Sequence, residues 1–184
     1  MKNPFLTEVF GRKLGKSKLF MPDDPKQLHE ILDYARQHNC RIHFPTDFIL
    51  GKELEAGTET QYWENWEKDV PPEWRVLDCG PKSNETFDKI IGRSKSIFWN
   101  GPFGYIEAPE FRGGSEKILK SIIKQTKNGA TSIIGGGDSA SLVNNMGLSK
   151  EVSYVSTGGG ATLELLEGKV LPGVKGLSEA SELQ

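Results

Sequence analysis

Residues 131 to 141, TSIIGGGDSAS, are the first place where residue types suggest chemistry: an apolar run delivers Gly135, Gly136 and Gly137, then a carboxylate and a hydroxyl at Asp138 and Ser139. Glycine has no Cβ, accepts positive φ and lets another group come up against bare backbone amides. Where such amides open a helix they lie at the positive end of its dipole, which suits phosphate. Asp138 then suits a magnesium ion shared with that phosphate, since Mg²⁺ takes carboxylate oxygen and keeps several waters. The same letters also fit a plain N-cap, with Asp138 capping the helix and the glycines only turning the chain. The stretch is neither a Walker A motif nor a GxGxxG fingerprint.

Two more stretches carry the same kind of signal. In WNGPFGYIE, Trp99 to Glu107, the residues Gly101, Pro102 and Gly104 make a stiff loop open to close approach. Glu107 suits the hydroxyls of a ribose, or is an ordinary solvated acid. In STGGGATLELLEG, Gly158 to Gly160 offer a second amide cradle, a hinge, or tight packing of helix on strand. His29, His38 and His43 have no metal spacing and no nucleophile beside them, and Cys40 and Cys79 lie far apart without a CxxC pattern.

The elements that must hold these stretches follow from periodicity. FLTEVFGRKLGKSKLF predicts a short amphipathic helix and a brief strand. DDPKQLHEILDYARQHN predicts a surface helix, with Leu28, Ile31, Leu32 and Ala35 at helical spacing, an acidic start and Asn39 near its end. RIHFPTDF reads as a strand stopped by Pro45, residues 50 to 73 as a long polar excursion with one ragged strand, and WRVLDCGPKS as a strand ending at Gly80-Pro81. After these come a helix on SNETFDKIIGRS, a strand on SIFWNGP, a helix on GGSEKILKSIIKQTKNG, and then strand, glycines and helix twice over. Strands alternating with helices predict an α/β fold with a doubly wound, mainly parallel, Rossmann-like sheet. Ligands of such sheets lie beyond the carboxyl ends of the strands, where all four glycine-bearing turns fall.

Composition sets bounds. A chain of 184 residues fits one domain, residues 1–184. A formal charge of −2 gives no reason to expect nucleic acid or an anionic membrane as partner. No apolar run reaches membrane-span length and no secretory signal is present, so a cytoplasmic location is expected. Glycine, 21 residues, is above the usual ~7%, and six of these sit in the two triplets.

VLDCGPKS, SIFWNGPFGYIE, TSIIGGGDSAS and VSYVSTGGGATLELLEGKVLPGVKGLS, with FPTDF at 44 to 48 and PPEW at 71 to 74, together resemble the carboxyl-terminal half of phosphoglycerate kinase in order and spacing. The resemblance implies a two-domain glycolytic kinase that moves a phosphoryl group between 1,3-bisphosphoglycerate and ADP with Mg²⁺, its carboxyl-terminal domain binding ADP or ATP. Position by position, it implies that Leu77 and Gly101 serve base and sugar, with Phe103 and Ile106 as wall and Glu107 on the ribose. It likewise implies that Gly135, Gly136, Gly137, Asp138 and Ser139 serve the phosphates, with Asp138 as the magnesium ligand, and that Gly136, Gly158 and Gly159 face the transferring group. Ser139 stands where many relatives have threonine, Tyr105 replaces a small aliphatic, and Tyr154 replaces a histidine.

Against that pattern, these 184 residues are expected to hold neither the phosphoglycerate-binding amino-terminal domain nor the lysine-bearing GxKVxDK-like segment and glycine-rich strand that the family places before NPFLTEVF. The chain by itself is therefore expected to hold much of a nucleotide site and to be inactive. The alternatives are an inactive Mg-nucleotide-binding module and a structural fragment that associates through an exposed sheet edge.

Overall fold

The structure, a computed structural model, describes residues 2–177. Ser178, the last residue of the longest motif, and the rest of the expected domain to 184 lie outside the described residues. The chain forms two compact units, Met1–Gly92 with Phe103–Ser121, and Arg93–Pro102 with Ile122–Gln184.

The first unit opens with a helical turn, α1 (Lys2–Pro4), and a single π-helical turn over Phe5–Val9. The strand expected after it reduces to one bridge, Leu14 to Val70. Helix α2 (Lys26–Gln37) starts behind Pro25, where the Asp24 carboxylate accepts the Lys26 N–H at 3.0 Å, and it stops at Asn39 with φ 52°. Its apolar stripe is only partly covered, since Leu28 and Ala35 are buried and Ile31 is 49% exposed.

Three strands follow, β1 (Phe48–Gly51), β2 (Thr60–Trp63) and β3 (Arg75–Cys79), in the order β2-β1-β3 with both pairings antiparallel. The strand expected over RIHFPTDF is thus corrected to begin at its last residue. Pairing starts at Phe48, which has Trp63 on one side and Cys79 on the other, whereas Pro45 has no N–H to give to a ladder.

Strands β1 and β3 of this small sheet are covered on both faces, whereas β2 is mostly exposed. Phe48, Leu50 and Val76 pack with Leu6, Leu14, Val70 and Trp74, while Leu77 packs with Ala108 and Phe111, joined by Ile49 and Tyr105. Alternation along β1 and β3 sends neighbouring residues to opposite clusters. Between β1 and β3 the register jumps, because Ile49 faces Asp78 and Leu50 faces Val76. Leu77 is left without a ladder partner, the mark of a β-bulge.

The second unit holds β4 (Ser96–Asn100), β5 (Thr131–Gly135) and β6 (Tyr154–Val155), parallel and in that order. Helix α3 (Pro81–Ile91) precedes β4, and α4 (Gly113–Lys127) precedes β5. Helices α5 (Gly137–Asn145), α6 (Gly159–Leu166) and α7 (Pro172–Lys175) complete the described chain. Trp99, Ile134, Leu142, Val143 and Val152 are buried in this unit.

The mixed α/β class and the parallel sheet are as the alternation predicts. The antiparallel sheet is not, and connection length explains it. Residues 52 to 59 between β1 and β2 are too few for a parallel crossover, which needs a dozen or more. The link from β4 to β5 contains all of α4.

Candidate functional site

In the second unit both glycine triplets sit where a strand hands over to a helix. Gly135 ends β5 and pairs with Asn100 at the end of β4. Gly136 is the N-cap of α5 at φ 84° and ψ 141°, and a Cβ there would lie 2.5 Å from Asn100 Oδ1. Only glycine meets both demands. Gly137 has open space around its Cα. The first helical bond of α5 runs from the Ala140 N–H to the Gly136 carbonyl, so the N–H groups of Gly137, Asp138 and Ser139 precede it.

The second triplet repeats this geometry. Gly158 is the N-cap of α6, and the first bond runs from the Thr162 N–H to the Gly158 carbonyl, leaving the N–H groups of Gly159, Gly160 and Ala161 ahead of it. A Cβ on Gly159 would lie 2.8 Å from the Cα of Gly136. The two helix starts therefore meet backbone to backbone, and their positive dipole ends add. Neither start has a side-chain cap.

That arrangement excludes one of the readings left open by sequence, the one that makes Asp138 the N-cap. Asp138 is exposed in the first turn of α5 and is not its N-cap. No hydrogen bond or ion pair to another described residue engages its carboxylate, which suits it to a hard cation such as Mg²⁺. Ser139 is fully buried and its Oγ accepts the Gly101 N–H at 2.9 Å, so the hydroxyl ties the turn after β4 to α5. Gly101 itself has φ 89°. Asn100, absent from the expected set, is legible as the polar residue that follows the apolar run Ile97 to Trp99 and precedes Gly101-Pro102.

The other expected residues, Leu77, Phe103, Ile106 and Glu107, belong to the first unit. The carbonyl of the bulged Leu77 accepts the Tyr105 N–H at 2.8 Å. Ser115 Oγ, in the first turn of α4, accepts the N–H of Phe103 at 2.9 Å and that of Gly104 at 3.4 Å. The Phe103 ring rests 5.4 Å from that of Phe87. Arg112 donates to the carbonyls of Ile106 and Glu107, and the Glu107 side chain is exposed.

Two buried carboxylates in this unit were not singled out by sequence. Asp47 accepts the N–H groups of Lys82 (2.9 Å) and Ser83 (2.7 Å) at the start of α3 and the Tyr62 hydroxyl at 3.0 Å. Pro81 in the first turn has no N–H to satisfy. Asp78, 1% exposed, accepts the Cys79 N–H at 2.8 Å and the Gly114 N–H of α4 at 2.7 Å. Burial pushes its carboxyl up to about 6, while those two N–H groups and Lys2 pull it down and Glu116 adds to the rise.

A family model described as phosphoglycerate kinase matches residues 1–169. The chain belongs to the phosphoglycerate kinase family. Similar relatives include phosphoglycerate kinases of Plasmodium falciparum, 45% identical over 97% of this chain and 42% of its own length, and of Tetrahymena thermophila, 42% identical over the same shares. Among solved structures, the phosphoglycerate kinase of Coxiella burnetii matches with a TM-score of 0.83 and 32% identity over 95% of this chain and 43% of its own. The chain thus spans about two fifths of the length of these phosphoglycerate kinases.

Proposed function

We propose that residues 1–184 are part of the carboxyl-terminal, nucleotide-binding domain of a phosphoglycerate kinase. The complete enzyme would catalyse reversible phosphoryl transfer between 1,3-bisphosphoglycerate and ADP, giving 3-phosphoglycerate and ATP. An oxygen of the ADP β-phosphate attacks the acyl phosphorus, the bond from that phosphorus to the carboxylate oxygen breaks, and no proton need move. Such a reaction asks little covalent help of the protein and much positioning and charge neutralisation.

The observation that carries this reading is the meeting of two glycine-capped helix starts at Gly136 and Gly159. Bare amides ahead of α5 and α6 supply donors for phosphate oxygens, and a side chain at 136 would collide with Asn100 and displace the start of α5. Asp138 would hold the magnesium ion, which supplies charge neutralisation to the phosphates when bound. Leu77, Phe103 and Ile106 are assigned to the base and Glu107 to the ribose. Gly101 is assigned to the sugar end, and Gly135, Gly136, Gly137, Ser139, Gly158 and Gly159 to the phosphates and the transferring group.

Phosphoglycerate is assigned to the amino-terminal domain of the complete protein, so this chain binds nucleotide without turnover. Calorimetric titration with Mg-ADP is expected to show saturable binding, and a coupled kinase assay is expected to show activity only when a separate amino-terminal domain is added. No binding heat at millimolar Mg-ADP would overturn the assignment.

A further inference from the structure

Asp78 is one of the two buried carboxylates of the first unit, with Asp47, and no step of phosphoryl transfer uses it. It sits in β3 beside the bulged Leu77, 1% exposed, and no lysine or arginine of the described residues forms an ion pair with it. A carboxylate so placed costs folding free energy, because water is gone and only dipoles replace it. Chains keep such groups where geometry matters more than stability.

The surrounding backbone is built around its two oxygens. A Cβ on Gly114 would lie 2.3 Å from Oδ1, and one on Gly104 would lie 2.5 Å from the same oxygen and 2.1 Å from the Phe111 carbonyl. Both glycines therefore let backbone close on the carboxylate. Through Oδ2 the Gly114 N–H is fixed, which sets the first turn of α4. Ser115, the next residue, then holds the N–H groups of Phe103 and Gly104, while Leu77 holds that of Tyr105. Two short routes, one through α4 and one through the bulge, thus run from β3 to the loop bearing Phe103, Ile106 and Glu107.

We propose that Asp78 is a positioning residue for base and ribose: its carboxylate fixes the start of α4, and through Ser115 fixes the 103–107 loop against Leu77. The inference rests on the nucleotide assignment above and extends it to a residue that touches no ligand. Asp78→Asn keeps the shape but turns an N–H donor toward one of two N–H groups, so one of the paired contacts is lost.

The test uses the full chain and two probes, adenosine for the base and ribose and tripolyphosphate for the phosphate cradle. Asp78→Asn is expected to weaken adenosine about tenfold, to leave tripolyphosphate within about twofold, and to melt no lower than the parent at pH 7. A residue that merely stabilised the fold would lower the melting temperature instead. Thermal melts of parent and variant from pH 4 to 7 add a second readout. Relative to the variant, the parent should gain stability toward acid as Asp78 takes up its proton, with Lys2 and Glu116 as the charged groups that act on its carboxyl and Cys79 beside it. Ser115→Ala, which removes only the acceptor for Phe103 and Gly104, is expected to reproduce the loss of adenosine and serves if Asp78→Asn does not fold.

Equal loss of both probes, or unchanged adenosine affinity, overturns the proposal. If the parent binds neither probe, the nucleotide assignment fails. Hydrogen exchange then judges the positioning role by itself: reduced protection at Phe103, Gly104 and Tyr105 in Asp78→Asn supports it, and unchanged protection overturns it.

Discussion

In the first unit the N-termini of α3 and α4 meet buried carboxylates, Asp47 and Asp78, whereas in the second α5 and α6 begin at Gly136 and Gly158 with no side chain over their leading amides. Every helix start leaves N–H groups that need partners. The first unit closes them internally, at the cost of burying charge, and becomes a scaffold in which β1 and β3 are covered on both faces. The second leaves them for something from outside, and adds an exposed carboxylate at Asp138. Similar strand-to-helix turns therefore serve opposite ends, and what differs is whether an acid elsewhere in the chain reaches back to close them.

That contrast can be broken from either side. Asp47→Ala opens α3 and strands the N–H groups of Lys82 and Ser83, with the Tyr62 hydroxyl, in a buried site. Denaturant unfolding should show a loss of about 4 kcal/mol, while Mg-ADP affinity of the folded fraction stays the same. Gly136→Val does the reverse, driving a side chain against Asn100 at the start of α5 in a position with φ 84° and so displacing the leading amides. Titration should show Mg-ADP weakened on the order of a hundredfold, about 2.8 kcal/mol, with the far-ultraviolet spectrum retained. Unchanged affinity would mean that the amides are not the binding surface.

The pH dependence sharpens the first unit's half of the comparison. Asp78 is raised from 3.8 to about 6, chiefly by burial. Its share of stability is therefore full below about 3.8 and lost as pH rises through about 6, the opposite of a carboxylate held by a cation. The stability curve of the parent minus that of Asp78→Asn should grow toward acid between those values, by roughly 2 kcal/mol. A difference that is flat in pH would remove the charge from the account. The smallest effect expected is at the second unit's free acid. Asp138→Asn should cost about tenfold, or 1.4 kcal/mol, in Mg-ADP affinity and nothing in metal-free ADP affinity, as measured by paired titrations with and without the ion.

Much of this was legible in the letters. The glycine triplets, the loop from Gly101 to Glu107 and the helices over 26–37, 81–91 and 113–127 follow from spacing, because a helix repeats its apolar face locally and a glycine announces a bare backbone. The strand expected over RIHFPTDF failed because a strand exists only through its partners, and pairing begins at Phe48. Asp47 and Asp78 escaped notice for a related reason. Each meets helix N–H groups some 36 residues along the chain, at Ser83 and Gly114, a distance no local pattern reports.

Residue type and short-range periodicity were enough for the class of fold, the family and the places where backbone is left bare. It took folding to bring Gly136 against Gly159 and Ser139 against Gly101, to leave Asp138 without a partner among the described residues while Asp47 and Asp78 have theirs, and to run the first unit's strands antiparallel. Those outcomes are contacts between segments remote in the chain. They are fixed when strands find their register and close loops of tens of residues, and that choice is made by packing rather than by any residue's own preference.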